Sequence, residues 1–155
     1  MNNKCPFCEP NILESAFLES DNFLAISNTS PILAGHSLII PKRHILSFLD
    51  LSEKELSEFI FLGQKTAKIL SDYFKSGSFN LSIQDGFWAG QTIFHLHMHI
   101  IPRIQNDLKS PGEWYHELEK TAYTTEIDSS IRPKLSKEDF LKNVQDLKNF
   151  INKLI

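Results

Sequence analysis

Two cysteines, two tryptophans and six glycines are all that this 155-residue chain holds of those residue types, and it has no surplus of positive charge. The net charge is −3 with histidines neutral, so the chain lacks the basic footprint of a polynucleotide-binding protein. A nucleotide-sized ligand needs only a local positive site and is not excluded. No apolar run approaches the roughly 20 residues of a membrane span, and Met1-Asn2-Asn3-Lys4-Cys5 has no apolar signal region. A cytoplasmic location, away from membranes, is therefore expected. Thiols there are kept reduced, so Cys5 and Cys8 point to a metal or redox pair before a structural disulfide. With 41% hydrophobic and 23% charged residues, the composition is that of one folded domain over residues 1–155. No repeat or low-complexity segment interrupts it.

What the chain does have is three of its six histidines within five residues, in His95-Leu96-His97-Met98-His99-Ile100-Ile101-Pro102. A period of two argues for a strand, with the three imidazoles on one face and Leu96, Met98 and Ile100 on the other. At ~3.3 Å rise per residue, neighbouring imidazoles are expected roughly 6–7 Å apart, a row matched to a phosphate and its neighbours. Before it, Phe79-Asn80-Leu81-Ser82-Ile83-Gln84 alternates in the same way, and Asp85 to Gly90 form a turn. These runs are expected to pair as an antiparallel hairpin with a long loop, setting Gln84 and Thr92 beside the histidines.

The remaining segments supply a frame. Ser15–Glu19 and Phe23–Ser27 read as a hairpin around Ser20-Asp21-Asn22, and His36–Pro41 reads as a third strand. Lys42 and Arg43 then form a basic corner whose plainest reading is solvated surface charge. Ser52 and Glu55 make a capping box, and Leu56, Phe59, Ile60, Gly63, Ala67, Leu70 and Phe74 recur at helical spacing to about Lys75. Gly77 is expected to end that helix. Residues 105–135 are a polar connection with a short helical patch at Trp114, Tyr115 and Leu118 and two Thr/Ser clusters. A link this long suggests a lid or an interface. Residues 136–155 read as a C-terminal helix capped by Ser136, with Phe140, Val144, Leu147, Ile151 and Leu154 as its stripe. At the other end, Cys5-Pro6-Phe7-Cys8 lacks the preceding βαβ context of a thioredoxin-like site. Zinc fits the spacing better, although two thiolates supply only half of a tetrahedral set.

The block from Gln84-Asp85-Gly86 through Ala89-Gly90-Gln91-Thr92 to the triad and Pro102-Arg103 resembles the histidine triad (HIT) superfamily. It is most similar to the fragile-histidine-triad branch of dinucleoside polyphosphate hydrolases. Asn28, Pro31, Gly35-His36, the Pro41-Lys42-Arg43-His44 corner and Trp114 to Lys120 extend the likeness over most of the chain. The resemblance implies an α+β fold: a mostly antiparallel five-stranded sheet, one long central helix and a C-terminal helix. It implies His97 as a nucleophile that attacks an α-phosphate and becomes a transient nucleotidyl-histidine. His95, His99 and Gln91 would assist. Asn28, Gln84, Gln91, Thr92 and His99 would hold the substrate, with His36 supporting the site from behind. Many prokaryotic members, like the related galactose-1-phosphate uridylyltransferases, bind zinc at the positions of Cys5, Cys8, His44 and His95. Such a closed set fits a structural ion in an N-terminal segment over residues 1–10. No organic cofactor is implied. Homodimerisation is, with Trp114 or C-terminal residues of the partner bordering the site.

Two other function classes fit the same residues. A catalytic metal held by two triad histidines would make a metal-dependent, cupin-like hydrolase, but such sites usually recruit a carboxylate, and no acidic residue follows the triad until Asp107. A binding protein on the same fold would hold nucleotide without turnover. Within the hydrolase class, an adenosine 5′-phosphoramidate is the alternative substrate.

Overall fold

Five short runs build one antiparallel sheet: β1 (Ala16–Glu19), β2 (Phe23–Ser27), β3 (Ser37–Pro41), β4 (Ser78–Ile83) and β5 (Met98–Arg103). The computed structural model describes residues 5–119 and 134–154. The strand order is β1-β2-β3-β5-β4, so the strand that carries His99 is inside the sheet and β4 is at its edge. Helix α1 (Glu53–Phe74) follows β3, α2 (Glu113–Glu119) follows β5, and α3 (Lys137–Asn152) lies near the C-terminus. The architecture is the expected α+β sheet with one long and one C-terminal helix. The Thr/Ser clusters of the 105–135 connection and Ile155 lie outside the described residues.

The inner strands β2, β3 and β5 are buried on both faces, which explains why they are apolar on both sides. On one face Phe23, Ala25, Ile39, Met98 and Ile100 pack with α1 and α3. Gly63 lets α1 come close to β5, since a β-carbon there would lie 2.9 Å from Met98 Sδ. On the other face Leu24, Ile26, Leu38 and Ile40 are covered by Phe7 of the N-terminal segment. The capping box at Ser52 and Glu55 forms as expected, and Arg43 adds a two-pronged ion pair to Glu55 at 2.8 and 3.0 Å. Lys42 pairs with Glu19 at 3.0 Å, so the basic corner is surface charge engaged with acids.

Four details depart from the sequence reading. The histidine strand begins at Met98, not His95. The β3–β5 ladder runs only through Ser37–Ile39 and Met98–Ile100. Beyond it Leu96 would face Pro41, which has no N–H to give, and Leu96 sends its own N–H to Ile45 O instead. On α1, Ile60 is half exposed, while Leu62 and Ile69 join the buried stripe. That helix ends on Lys75 in a left-handed conformation (φ 54°) rather than on Gly77. On α3, Phe140, Val144, Leu147 and Ile151 are buried but Leu154 is exposed.

Candidate active site and metal centre

The histidines occupy the sheet face opposite α1. Leu38 and Ser82 lie directly across from His99 on the neighbouring strands, so the polar face of β4 is indeed the face of this histidine. The His97 and His99 rings meet edge to face at 4.9 Å, closer than an ideal strand spacing because His97 precedes the strand. His95, His97, His99 and His36 are all buried.

Hydrogen-bond partners fix the proton of each imidazole. His97 Nδ1 is 2.8 Å from the carbonyl of His95, which only accepts, so Nδ1 carries the hydrogen and Nε2 keeps a lone pair. Ile32 N–H donates to His36 Nδ1 at 3.1 Å, so the hydrogen of His36 is on Nε2. That Nε2 lies 2.9 Å from His99 Nδ1 and donates to it, which places the hydrogen of His99 on Nε2. The two central rings thus present opposite characters: His97 Nε2 a base, His99 Nε2–H a donor. Burial pushes the His97 imidazole below its ordinary pKa, keeping it neutral and nucleophilic.

His95 looks the other way. Its Nε2 donates to Pro41 O at 3.0 Å, leaving the Nδ1 lone pair facing Cys5 Sγ at 3.3 Å and Cys8 Sγ at 3.5 Å. Cys8 Sγ also lies 3.3 Å from His44 Nδ1, and the four ligand atoms fall within 4.8 Å of one another. In a tetrahedral zinc site with ordinary Zn–S and Zn–N bonds, sulfur and nitrogen stand about 3.5 Å apart. The donor set therefore fits such an ion. Burial lowers the pKa of His95 to about 4, so it is neutral, as a ligand must be. Burial, and then the neighbouring Cys5, push the Cys8 thiol up, a crowding that a cation would relieve.

The other expected site residues fall into two groups. Asn28 and Gln84 stand beside the histidines. Asn28 Oδ1 accepts from Ser30 N at 2.8 Å, and its Nδ2 is 3.5 Å from His36 Nε2. Gln84 contacts Ser82 Oγ through Nε2 at 2.7 Å, while its buried Oε1 has no partner. Turning the amide over would let Ser82 donate to Oε1 and free Nε2 as a donor toward an anion. Gln91 differs. Its Oε1 accepts from Gly86 N at 2.8 Å and its Nε2 donates to Leu46 O at 3.0 Å, so both ends brace backbone. Thr92, next to it, is half-buried. Trp114 lies on α2, its ring edge-on to Tyr115 at 5.9 Å.

One residue escaped the sequence reading. Phe7 packs edge to face on both His95 and His97, at 5.6 and 5.5 Å, and so joins the His97 ring to the Cys/His cluster. The signal was there, since any site that uses both Cys5 and Cys8 must bring the two residues between them, Pro6 and Phe7, along. At the far end of β5, Arg103 makes two bonds of 2.8 Å to Asp107 and reaches Asn80 Oδ1 and Pro111 O, tying the strand to β4 and the following loop.

Comparison with known proteins gives the chain's family and its fold relatives. The chain is 35% identical over 104 residues to a bis(5′-adenosyl)-triphosphatase of Dictyostelium discoideum, covering 67% of this chain and 70% of that protein. It is 41% identical over 96 residues to an asymmetrical bis(5′-nucleosyl)-tetraphosphatase of Schizosaccharomyces pombe, covering 62% of this chain. It spans only 53% of that relative's length. Among solved structures, it is similar to a Plasmodium falciparum diadenosine triphosphate hydrolase in complex with cyclomarin A. That match has 26% identity and TM-score 0.69 and covers 90% of this chain and 78% of the other. A histidine triad nucleotide-binding protein of Sulfolobus tokodaii matches at 28% identity and TM-score 0.73, over 97% and 93% of the two chains. The family model for the HIT domain matches residues 9–106, which run from the segment after the cysteine pair through the whole triad, and the chain belongs to the HIT domain family.

Proposed function

We propose that this chain hydrolyses dinucleoside polyphosphates at the α-phosphate, through a nucleotidyl-histidine intermediate on His97. The observation that carries this reading is the complementary protonation of neighbouring rings: a lone pair on His97 Nε2 beside a donor on His99 Nε2. The names of the relatives at 35 and 41% identity point to the same substrate class.

In the first step His97 Nε2 attacks the α-phosphorus, a P–N bond forms, and the bond from phosphorus to the bridging oxygen breaks. The leaving nucleoside polyphosphate departs as a phosphate oxyanion, so it needs a hydrogen bond rather than a full proton, and His99 Nε2–H supplies it. The positive charge left on the His97 ring is shared through Nδ1–H with the His95 carbonyl. Water then displaces His97, releasing a nucleoside monophosphate and a proton. Gln84 and Thr92 orient phosphate oxygens and Asn28 holds the ribose. Gln91 acts through the turn it braces, as a positioning residue.

The Cys5, Cys8, His44 and His95 cluster holds zinc in this reading. With all four positions taken by protein, the ion supplies cross-linking rather than Lewis acidity. His95 then joins two duties, its ring toward the metal and its carbonyl toward the nucleophile. The whole chain, residues 1–155, works as one domain. Among the described residues no helix is long and apolar enough to cross a membrane.

His36 is the relay that sets the tautomer of His99. His36→Ala removes it and lets His99 turn, with an expected fall in kcat of about 100-fold, the scale of a small misplacement of a reacting group. Measured kcat and KM against a folded control test this. Unchanged kcat would remove His36 from the mechanism.

The domain works as a homodimer in this reading. β4 is an edge strand that exposes Phe79 and Leu81, and α1 exposes Ile60 and Phe61, apolar surface that a monomer seldom leaves bare. Sedimentation velocity at micromolar concentration gives a dimer if so, whereas a clean monomer would contradict the proposal.

A further inference from the structure

The turn between β4 and the histidine segment is firmly held at its base and bare at its tip. At the base, Asp85 accepts from Ser47 Oγ at 2.9 Å and Phe48 N–H at 2.8 Å, while Gln91 spans Gly86 N–H and the Leu46 carbonyl. Gly86 and Gly90 bracket it with φ of 90° and 89°, values that side-chain-bearing residues rarely adopt, and confine Phe87–Ala89 to a single 3-10 turn. At the tip, Trp88 is 96% exposed and Phe87 64% exposed, with their rings edge to face at 5.2 Å. A rigid base thus presents two large aromatic faces to solvent, the reverse of what burial alone would select.

This turn borders the site. A β-carbon added at Gly90 would stand 3.7 Å from Gln84 Cγ, so the turn lies against Gln84. Gln84 in turn contacts Ser82, which faces His99 across the β4–β5 ladder. One end of the buried Gln84 amide has no partner, and with the amide turned over that end is the Nε2 donor, a group suited to a phosphate oxygen.

We propose that Trp88, aided by Phe87, is the stacking platform for the second base of the substrate, the one that leaves with the polyphosphate. This rests on the dinucleotide reading above. The chemistry of that substrate demands a place for two bases, and only one accompanies the phosphorus attacked by His97. The other hangs on a flexible polyphosphate that passes the rim where the turn lies. An indole face binds any base by stacking and reads no hydrogen-bond pattern. The leaving side of the substrate is therefore recognised with little base preference.

The test compares wild type, Trp88→Ala and Trp88→Phe. The readouts are kcat/KM for diadenosine triphosphate and diadenosine tetraphosphate, and the inhibition constant of adenosine 5′-monophosphate, which carries no second base. Because Trp88 is almost wholly exposed, Trp88→Ala is expected to fold. Its kcat/KM for both dinucleotides is expected to fall about 10-fold, equivalent to about 1.4 kcal/mol and within the range for one base on an aromatic ring. The inhibition constant of the mononucleotide stays unchanged, and Trp88→Phe recovers most of the loss. In a Trp114→Phe background, Trp88 fluorescence is quenched by a dinucleotide and not by the mononucleotide. Unchanged dinucleotide kinetics would overturn the platform, as would an equal loss for mononucleotide and dinucleotide. Dissociation of a wild-type dimer in Trp88→Ala would also overturn it, by assigning the turn to a second copy of the chain. A wild-type protein with no dinucleotide turnover would instead sink the hydrolase reading itself.

Discussion

His97→Ala is expected to lower turnover of a dinucleoside polyphosphate by at least about 10⁴-fold, the scale seen when a covalent nucleophile is removed. The reason lies in how little else at the site can replace it. His95 has its Nε2 on the Pro41 carbonyl and its Nδ1 toward the cysteines, and His99 has its Nδ1 occupied by His36. His95 also pairs a carbonyl-bonded N–H with a lone pair, but that lone pair faces the cysteines; of the three, His97 alone has such a hydrogen bond and a lone pair directed elsewhere. The substitution leaves a cavity against Phe7 at the sheet face, with a cost in stability of about 1–3 kcal/mol. Circular dichroism and thermal melting therefore accompany the kinetics, and a folded variant with more than about a tenth of wild-type turnover would disprove the nucleophile assignment.

The second large effect is on stability. Removing the metal with a chelator, or breaking its site with Cys8→Ser, is expected to lower Tm by about 10 °C. A ligand present at about 1,000 times its Kd stabilises the fold by about 4 kcal/mol, and each kcal/mol moves Tm by about 2–4 °C in a chain of this size. At a temperature well below the new Tm, turnover is expected to fall by less than about 10-fold, because a metal at this cluster would hold the His95 ring and would reach the His97 ring through the His95 carbonyl and Phe7 rather than directly. Differential scanning fluorimetry alongside metal analysis and kinetics separates the two readings. Immediate loss of all turnover with Tm unchanged would mean a catalytic metal, the alternative raised by the histidine pattern itself.

Much of this was legible in the sequence because the informative residues carry side chains with strong periodicity. Three histidines at alternate positions announced a shared face, and the capping box at Ser52 and Glu55 marked the start of α1 within a residue. The cysteine pair pointed to a set of side chains that could hold a metal, although only its likeness to known proteins suggested His44 and His95 as partners. What stayed hidden is the part written in backbone. The tautomer relay begins at the Ile32 amide, and the orientation of His95 depends on the Pro41 carbonyl, groups that every residue possesses and no pattern displays. The late start of β5 has the same origin, since it follows from which carbonyl receives the Leu96 N–H. Gln91 shows the limit from the other side. A residue at a motif position was expected at the phosphate, yet its amide is bonded at both ends to backbone. On α1, Ile60 lies at the margin of a 3.6-residue stripe, where periodicity alone cannot decide between core and surface.

The most direct test of the account is capture of the intermediate. Wild-type protein mixed with excess diadenosine triphosphate, quenched within milliseconds by alkaline denaturant that preserves a P–N bond, and mapped by peptide mass spectrometry gives the measurement. The account predicts one nucleotidyl group on the peptide containing residues 95–99, localised to His97, absent from His97→Ala and discharged on the timescale of turnover. Steady turnover with no adduct at any time point, or an adduct that persists in His97→Ala, would contradict it.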